Sequence, residues 1–240
     1  GWTQVELSNR KVHPRGRSQV INTEFSLTEF GGELDRYLES YEKVKTTVTE
    51  AEKLVTPDRK DAFYSHIKYQ VFGASAMATK MLEAQRARSY SMGQCDEALW
   101  KRKDAMLTAC AKSQNAYQEI RRLTDYYNNK MAGGKWKHSM CHDPRDLYVF
   151  YPPILPVGLT DEEVRNYLPT SAVAKEHPIK ADKCIAMNAC RYTHATKGAE
   201  TIQALGHSMN AVSLPQGSSL TFEFDCPWEG EAVLSTAVIP

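Results

Sequence analysis

The spacing of apolar residues predicts long helices over the first half of the chain. Between residues 26 and 55 the apolar side chains recur every three or four positions, which places them on one face of a helix. Their positions are Leu34, Leu38, Tyr41, Val44, Val48, Ala51 and Val55. The segment Ser26-Leu27-Thr28-Glu29 has the form of a capping box, so we expect the helix to begin there. The pattern therefore predicts a first amphipathic helix.

A second helix is predicted from Thr56 to about Gly93. Thr56 is a good N-cap, and Pro57 suits the first turn because its missing N–H has no partner there anyway. The middle of this helix, residues 73–78, reads Gly-Ala-Ser-Ala-Met-Ala. Such small side chains allow a neighbouring helix to approach closely. Lys68, Lys80 and Arg86 lie around this stretch, and their charges exclude a membrane role for it.

A third helix is predicted from about Asp96 to Met131. Its apolar positions have a spacing close to a heptad repeat, which suits the seam of a bundle. They are Leu99, Met106, Cys110, Tyr117, Ile120, Thr124 and Tyr127. Gly133 and Gly134 follow, and glycine readily takes the left-handed conformation that ends helices. Because the connections between the three helices are short, the sequence predicts a long antiparallel bundle.

The periodicity changes to that of strands in the last third of the chain. Polar and apolar residues alternate over 220–226, and residues 231–239 are predicted to form another strand, with a Pro-Trp-Glu-Gly turn between the two. Shorter strands are expected at 184–192 and 212–214. The predicted fold class is α+β, a long antiparallel helical bundle followed by an incomplete antiparallel β-sandwich portion.

This reading divides the chain into four parts. Residues 1–25 are an irregular lead-in, and residues 26–134 are the bundle. Residues 135–170 form a linker with an aromatic–Pro segment at 148–153 and a short helix that begins at the second capping box, Thr160 to Glu163. Residues 171–240 are the β-sandwich portion.

Composition narrows the function classes. The net charge is +1 and charged residues make up 25% of the chain, so no strong field favours nucleic acid as a partner. No apolar run is long enough to span a membrane. The 6 cysteines lack metal-binding spacing, and we expect mainly free, buried thiols. No cofactor is predicted, because both Gly-Gly pairs fall at helix boundaries rather than in phosphate-binding loops.

Several residues of the linker carry functional chemistry. His138, Cys141 and His142 lie close together, but Gly-Gly before them and Asp143-Pro144 after them make a continuous helix doubtful, so no metal site is predicted. Asp143 and Asp146 are two acids three positions apart in a loop. Such pairs are common, and without a pocket they do not make a glycosidase centre. No catalytic residue is therefore predicted.

Four residues remain as substrate-binding candidates, namely Lys135, Trp136, Tyr148 and Tyr151. An aromatic ring can stack on the apolar face of a pyranose, and the ammonium of Lys135 can pair with the carboxylate of a uronic acid. The simpler alternative is that Trp136 only fills the joint between the bundle and the following loop.

Four stretches resemble a known enzyme family. They read FSLTEFGGELDRYL, DAFYSHIKYQVFGASAMATKMLEAQRARSY, YYNNKMAGGKWKHSM and KGAETIQALGHSMNAV. Together they resemble the region that follows the catalytic barrel in glycoside hydrolase family 115, whose members are xylan α-1,2-glucuronidases. The chain departs from that pattern at Tyr151, where a tryptophan is expected nearby, and this puts direct substrate contact by Tyr151 in doubt.

The resemblance implies a role for the chain. The catalytic carboxylates of that family belong to the barrel, so this chain would be a non-catalytic accessory and assembly fragment of an enzyme acting on glucuronoxylan. Its partners would be an upstream barrel of the same polypeptide and a plant polysaccharide. The resemblance further implies a periplasmic or secreted location and more strands beyond Pro240.

Two other classes of function stay open. A carbohydrate-binding module would need sugar affinity in the chain alone and exposed aromatic residues such as Trp228. A helical scaffold that forms a homodimer would need a large apolar face of the bundle to be left bare.

Overall fold

A computed structural model describes residues 22–23, 25–93, 103–168, 184–203, 210–234, 236 and 238 of the chain. The chain divides into two compact units, 1–180 and 181–240. The first unit contains the helices and the second contains short strands. None of the described helices combines the length and hydropathy needed to cross a lipid bilayer.

Helix α1 spans Glu33–Lys53 and begins later than the predicted capping box. Ser26 does accept hydrogen bonds from the backbone N–H of Glu29, at 2.9 Å, and of Thr28, at 3.3 Å. The helix cannot continue from there because residues 30, 31 and 32 all have positive φ angles, of 53°, 64° and 68°. These left-handed residues force a turn, so the predicted start was wrong by seven residues.

The second predicted helix is confirmed, with an irregular beginning. It comprises a 3-10 turn at Pro57–Arg59, helix α2 at Lys60–Phe63, a π-turn at Tyr64–Lys68 and helix α3 at Tyr69–Ser91. In the π-turn, the hydroxyl of Tyr64 donates to the backbone oxygen of Leu123 at 2.8 Å. This bond ties the start of the second helix to the end of the third.

The third helix and the short linker helix are also confirmed over their described residues. Helix α4 spans Lys103–Asn129, and its predicted first residues lie outside the described part of the chain. Helix α5 spans Asp161–Tyr167 and has a complete capping box, in which Thr160 accepts from the N–H of Glu163 and the Glu163 carboxylate accepts from Thr160 in return.

Helix α3 is the central element of the helical unit. Sixteen of its residues are buried, and it packs against both α1 and α4. Ala76 lies in a core cluster with Ala116 of α4. The hydroxyl of Ser113 on α4 donates to the backbone oxygen of Lys80 at 2.6 Å, which requires the two helices to lie close together. The small residues of α3 therefore do allow a close approach.

Helix α3 carries charged residues that are buried in the core. The side chain of Arg86 is only 7% exposed. It pairs with Asp35 of α1 and with Glu83, the latter at 3.0 Å. Burial opposes the positive charge of Arg86, but the carboxylates of Glu83 and Asp35 outweigh this effect and raise its pKa above the usual value. This network links α1 to α3 through the core.

The second unit contains two antiparallel strand pairs in its described residues. β1 (His194–Ala195) pairs with β4 (Leu220–Thr221), and β2 (Glu200–Gln203) pairs with β3 (Asn210–Ser213). The α+β class is confirmed. Most residues of these two strand pairs are exposed, and the sandwich portion stays a prediction.

Several predicted strands were wrong. The strand predicted at 220–226 is limited to Leu220–Thr221, and the described residues of 231–239 form no strand. Residues 184–192 contain a 3-10 turn at Ala189–Arg191 in place of a strand. The expected strand at 212–214 corresponds to part of β3. Alternation alone did not decide pairing, because a strand also needs a partner of matching register.

The cysteines also differ in burial from the prediction. The five described cysteines are free thiols, and of these only Cys110 is buried. Three of the five are exposed, so the expectation of mainly buried thiols was wrong.

Candidate functional site

The linker residues 140–159 lie along the helices and are held by polar side chains that reach their backbone. Asn128 at the end of α4 contacts Met140 twice, since its amide nitrogen donates to the carbonyl at 2.8 Å and its oxygen accepts from the N–H at 2.9 Å. The other attachments are Lys80 to Val149 and Tyr151, Arg88 to Ile154, and Gln114 to Leu159.

These contacts explain why an irregular segment can be partly buried. Val149 is 3% exposed and belongs to the same core cluster as Ala76. A buried carbonyl without a hydrogen bond is costly, and a loop lacks the backbone partners that a helix or sheet supplies. Side chains from α3 and α4 supply those partners here. The position of the aromatic–Pro segment is therefore set by the helices beneath it.

Lys80 is the most deeply buried of these attachments. Its side chain is fully enclosed, and its Nζ donates to the carbonyl oxygens of Val149 and, at 2.9 Å, Tyr151. Burial lowers the pKa of Lys80 to about 7, although the carboxylate of Asp143 acts in the opposite direction. The aromatic ring of Tyr117 lies 5.8 Å from the ammonium.

Lys135 and Trp136 lie just beyond the end of α4, as the glycine stop predicts. The chain leaves the helix through a 3-10 turn at Met131–Gly134. Gly134 has a φ of 82°, and a side chain there would come within 3.3 Å of the backbone oxygen of Asn129. Trp136 is 42% exposed, and the ammonium of Lys135 lies 5.2 Å from the centre of its ring. A cation and an aromatic face are thus presented together.

Tyr151 has a different environment from Trp136. It is half-buried, and its hydroxyl donates to a carboxylate oxygen of Asp146 at 3.2 Å. The backbone at Tyr148 begins a short 3-10 turn, and the side chain of Tyr148 lies outside the described part of the structure. Lys135 therefore lies beside Trp136, whereas the side chain of Tyr151 binds Asp146.

The two histidines of the linker, His138 and His142, differ in exposure and in hydrogen bonding. His138 is exposed and has a φ of 66°, so the backbone turns there. His142 is half-buried, and its Nε2 lies 3.0 Å from a carboxylate oxygen of Asp125 on α4. In the described part of the chain, no group of three or more His, Cys, Asp or Glu residues is placed to hold a metal ion.

Sequence reasoning missed the residues that position this segment. Lys80, Arg88, Asn128 and Gln114 are polar residues of long helices, and such residues are usually solvated. One signal was present for Lys80, which stands among small and apolar residues from Gly73 to Leu82. Its hydrogen-bond acceptors are backbone oxygens 69 and 71 residues away, and no local pattern identifies them.

Comparison with known proteins gives a structural likeness. A scan against protein-family models finds no match for the chain, and a search of curated proteins finds none either. Among solved structures, the chain is similar to a protein described as a novel family GH115 4-O-methyl-alpha-glucuronidase with specificity for decorated arabinogalactans. The sequence identity is 24% and the TM-score is 0.47.

The likeness covers different fractions of the two proteins. It covers 92% of this chain but 25% of that protein, so the chain spans about a quarter of the length of the structure it matches. The family named for that structure is the one that the four sequence stretches resemble.

Proposed function

We propose that this chain is an accessory and assembly region of an α-glucuronidase-like glycoside hydrolase, and that it contributes Lys135 and Trp136 to the binding of a uronic acid. Glucuronoxylan is the substrate that the family resemblance favours. The chain itself would supply no hydrolytic centre, because Asp143 and Asp146 are loop carboxylates and the hydroxyl of Tyr151 binds Asp146.

The observation that carries the proposal is the placement of Lys135 beside Trp136 at the end of the bundle. The side chain of Trp136 is 42% exposed, and a ligand can reach its exposed part. A pyranose can stack on that part of the ring through its C–H groups. The adjacent ammonium can then pair with the carboxylate at C5 of a uronic acid, which a neutral sugar lacks. Position and charge together favour an acidic sugar.

The positioning of the aromatic–Pro segment supports the same proposal. Four helix side chains hold residues 140–159 by hydrogen bonds to their backbone. A segment anchored in this way presents its surface with little conformational freedom. Binding to such a surface costs less ordering entropy than binding to a free loop.

The test uses a polypeptide in which this chain follows a catalytic barrel. Trp136→Ala should lower turnover of an aryl glucuronide at least tenfold, which corresponds to about 1.4 kcal/mol in the barrier. Because the ring is partly exposed, the loss in stability should stay below the ~3 to 5 kcal/mol expected for emptying a core tryptophan site. Unchanged turnover with a strongly destabilised chain would show that Trp136 only packs.

Lys135→Met provides a second measurement on the same site. It should weaken the binding of glucuronic acid more than the binding of glucose, since only the former has a carboxylate. Lys137→Met is the matched control, because Lys137 is an exposed lysine two residues further along. Equal effects of the two substitutions would show that the general charge of this region matters and the specific pairing does not.

A further inference from the structure

The attachment of the aromatic–Pro segment to α3 depends on an unusual group, the fully buried side-chain nitrogen of Lys80. Lys80 has two hydrogen-bond acceptors, the carbonyl oxygens of Val149 and Tyr151, and both belong to that segment. Within the described part of the chain, no carboxylate lies within ion-pair distance of its Nζ. The two hydrogen bonds of Lys80 therefore go to the segment, and none of the described carboxylates is paired directly with its Nζ.

We propose that Lys80 is a positioning residue for the aromatic–Pro segment, and that protonation of its Nζ loosens the segment from the bundle. The docked segment encloses Nζ, and lifting it would expose Nζ to water. An ammonium gains far more from hydration than a neutral amine does. The proton is therefore held more tightly when the segment is lifted than when it is docked.

The sign of the pH effect follows from this difference. In the docked state, burial lowers the pKa of Lys80 to about 7, from an ordinary value of 10.5. At a pH between these two pKa values, Lys80 is protonated when the segment is lifted and neutral when it is docked. Raising the pH within this window therefore favours docking. For one proton the opening equilibrium constant falls by as much as ~10-fold per pH unit, and it is constant below the window.

The groups that face Lys80 set the position of this window. Asp143 of the linker favours the protonated form. On α4, the ring of Tyr117 lies near the ammonium, and Arg121 lies 5.7 Å from the centre of that ring and donates to its hydroxyl at 3.1 Å. Because Asp143 raises the pKa of Lys80, Asp143→Asn should move the onset of tightening to lower pH.

Amide hydrogen exchange of the intact chain measures the opening directly. Exchange of peptides covering residues 147–154 is followed from pH 6 to 9, and the rates are corrected for the intrinsic dependence of exchange on pH. We expect the corrected opening constant to be constant near pH 6 and to fall clearly above pH 7. Peptides from the exposed end of α1, residues 50–53, open without uncovering Lys80 and should show no such fall.

Two variants complete the experiment. Lys80→Met should remove the pH dependence in residues 147–154, whereas Lys53→Met, at an exposed lysine of α1, should keep it. A corrected opening constant in the wild-type chain that does not change from pH 6 to 9 would overturn the proposal. The wild-type series needs no variant, so it decides the matter even if Lys80→Met does not fold.

Any effect of segment docking on sugar binding would rest on the proposed function. The exchange assay contains no sugar, so it tests the role of Lys80 separately. Loss of the pH effect would contradict the role of Lys80 and leave the proposal for Lys135 and Trp136 intact. Conversely, absence of uronic acid binding would contradict the proposed function and leave the attachment by Lys80 unaffected.

Discussion

The ion pair between Asp35 and Arg86 gives the sharpest prediction on stability. Asp35→Asn removes the carboxylate with almost no change in shape and leaves Arg86 in the core beside Glu83 and Tyr90. Breaking a buried ion pair from one side typically costs ~3 to 5 kcal/mol, because it leaves a charge without compensation. Since Glu83 stays at 3.0 Å, we expect the lower end of that range, about 3 kcal/mol.

Urea denaturation followed by circular dichroism at 222 nm measures this loss. For a chain of this length, 3 kcal/mol also lowers the melting temperature by roughly 6 to 12 °C. Glu50→Gln is the matched control, because Glu50 forms a pair with Lys53 on the same helix but both side chains are more than 60% exposed. Exposed pairs of this kind contribute below ~1 kcal/mol.

A double-mutant cycle separates the pair from the individual side chains. Asp35→Asn combined with Arg86→Met removes both charges, so the double variant should lose less than the sum of the single losses. If Asp35→Asn costs no more than Glu50→Gln, or if the two losses in the cycle simply add, the pair does not link α1 to α3 as the structure indicates.

Three further measurements test the packing and electrostatics of the helical unit. Ala76→Leu should destabilise the chain by ~1 to 3 kcal/mol in urea denaturation, because Ala76 packs against Ala116, whereas Thr46→Leu on the exposed face of α1 should have little effect. Thr160→Ala should remove the capping box of α5 and cost about 1 kcal/mol, with exchange increased mainly in residues 161–167; exchange unchanged there would contradict the role of the cap. The wild-type chain should gain stability relative to Lys80→Met between pH 7 and pH 9, measured as the difference between their free energies of unfolding. Unfolding restores the ordinary pKa of Lys80, so the unfolded chain binds a proton that the folded chain lacks in this range. A difference that is flat or falls would refute the lowered pKa.

The helical unit could be predicted from the sequence where periodicity and local signals decide the structure. The apolar stripe of α1 places Leu34 and Val48 correctly in the core, and the capping box at Thr160 begins α5 as expected. The start of α1 could not be obtained in the same way, because Phe30 takes a positive φ that its residue type rarely adopts.

The buried polar contacts were beyond local reasoning. A charged residue such as Lys80 or Arg86 is normally exposed, and its burial depends on partners that come from distant parts of the chain. For Arg86 the partner is Asp35, 51 residues earlier, and for Lys80 it is the backbone of residues 149 and 151. Such partners become visible only when the fold is known.

The candidate site was predicted in part. The glycine stop after α4 correctly indicated that Trp136 projects at the end of the bundle, where it is partly exposed beside Lys135. The contact of Tyr151 with Asp146 was not foreseen, because it depends on the left-handed conformation of Arg145 and Asp146. That contact is consistent with the doubt about Tyr151 as a sugar ligand.

The release of glucuronic acid from glucuronoxylan by this chain alone is the most direct test of the account. An accessory region that lacks a hydrolytic centre should release none above the buffer blank, at any pH from 4 to 8. The same assay on a polypeptide that joins the chain to a catalytic barrel should show release. Turnover by the purified chain alone that is lost in Asp143→Asn or Asp146→Asn would contradict the central claim, because it would place the catalytic carboxylates in this linker.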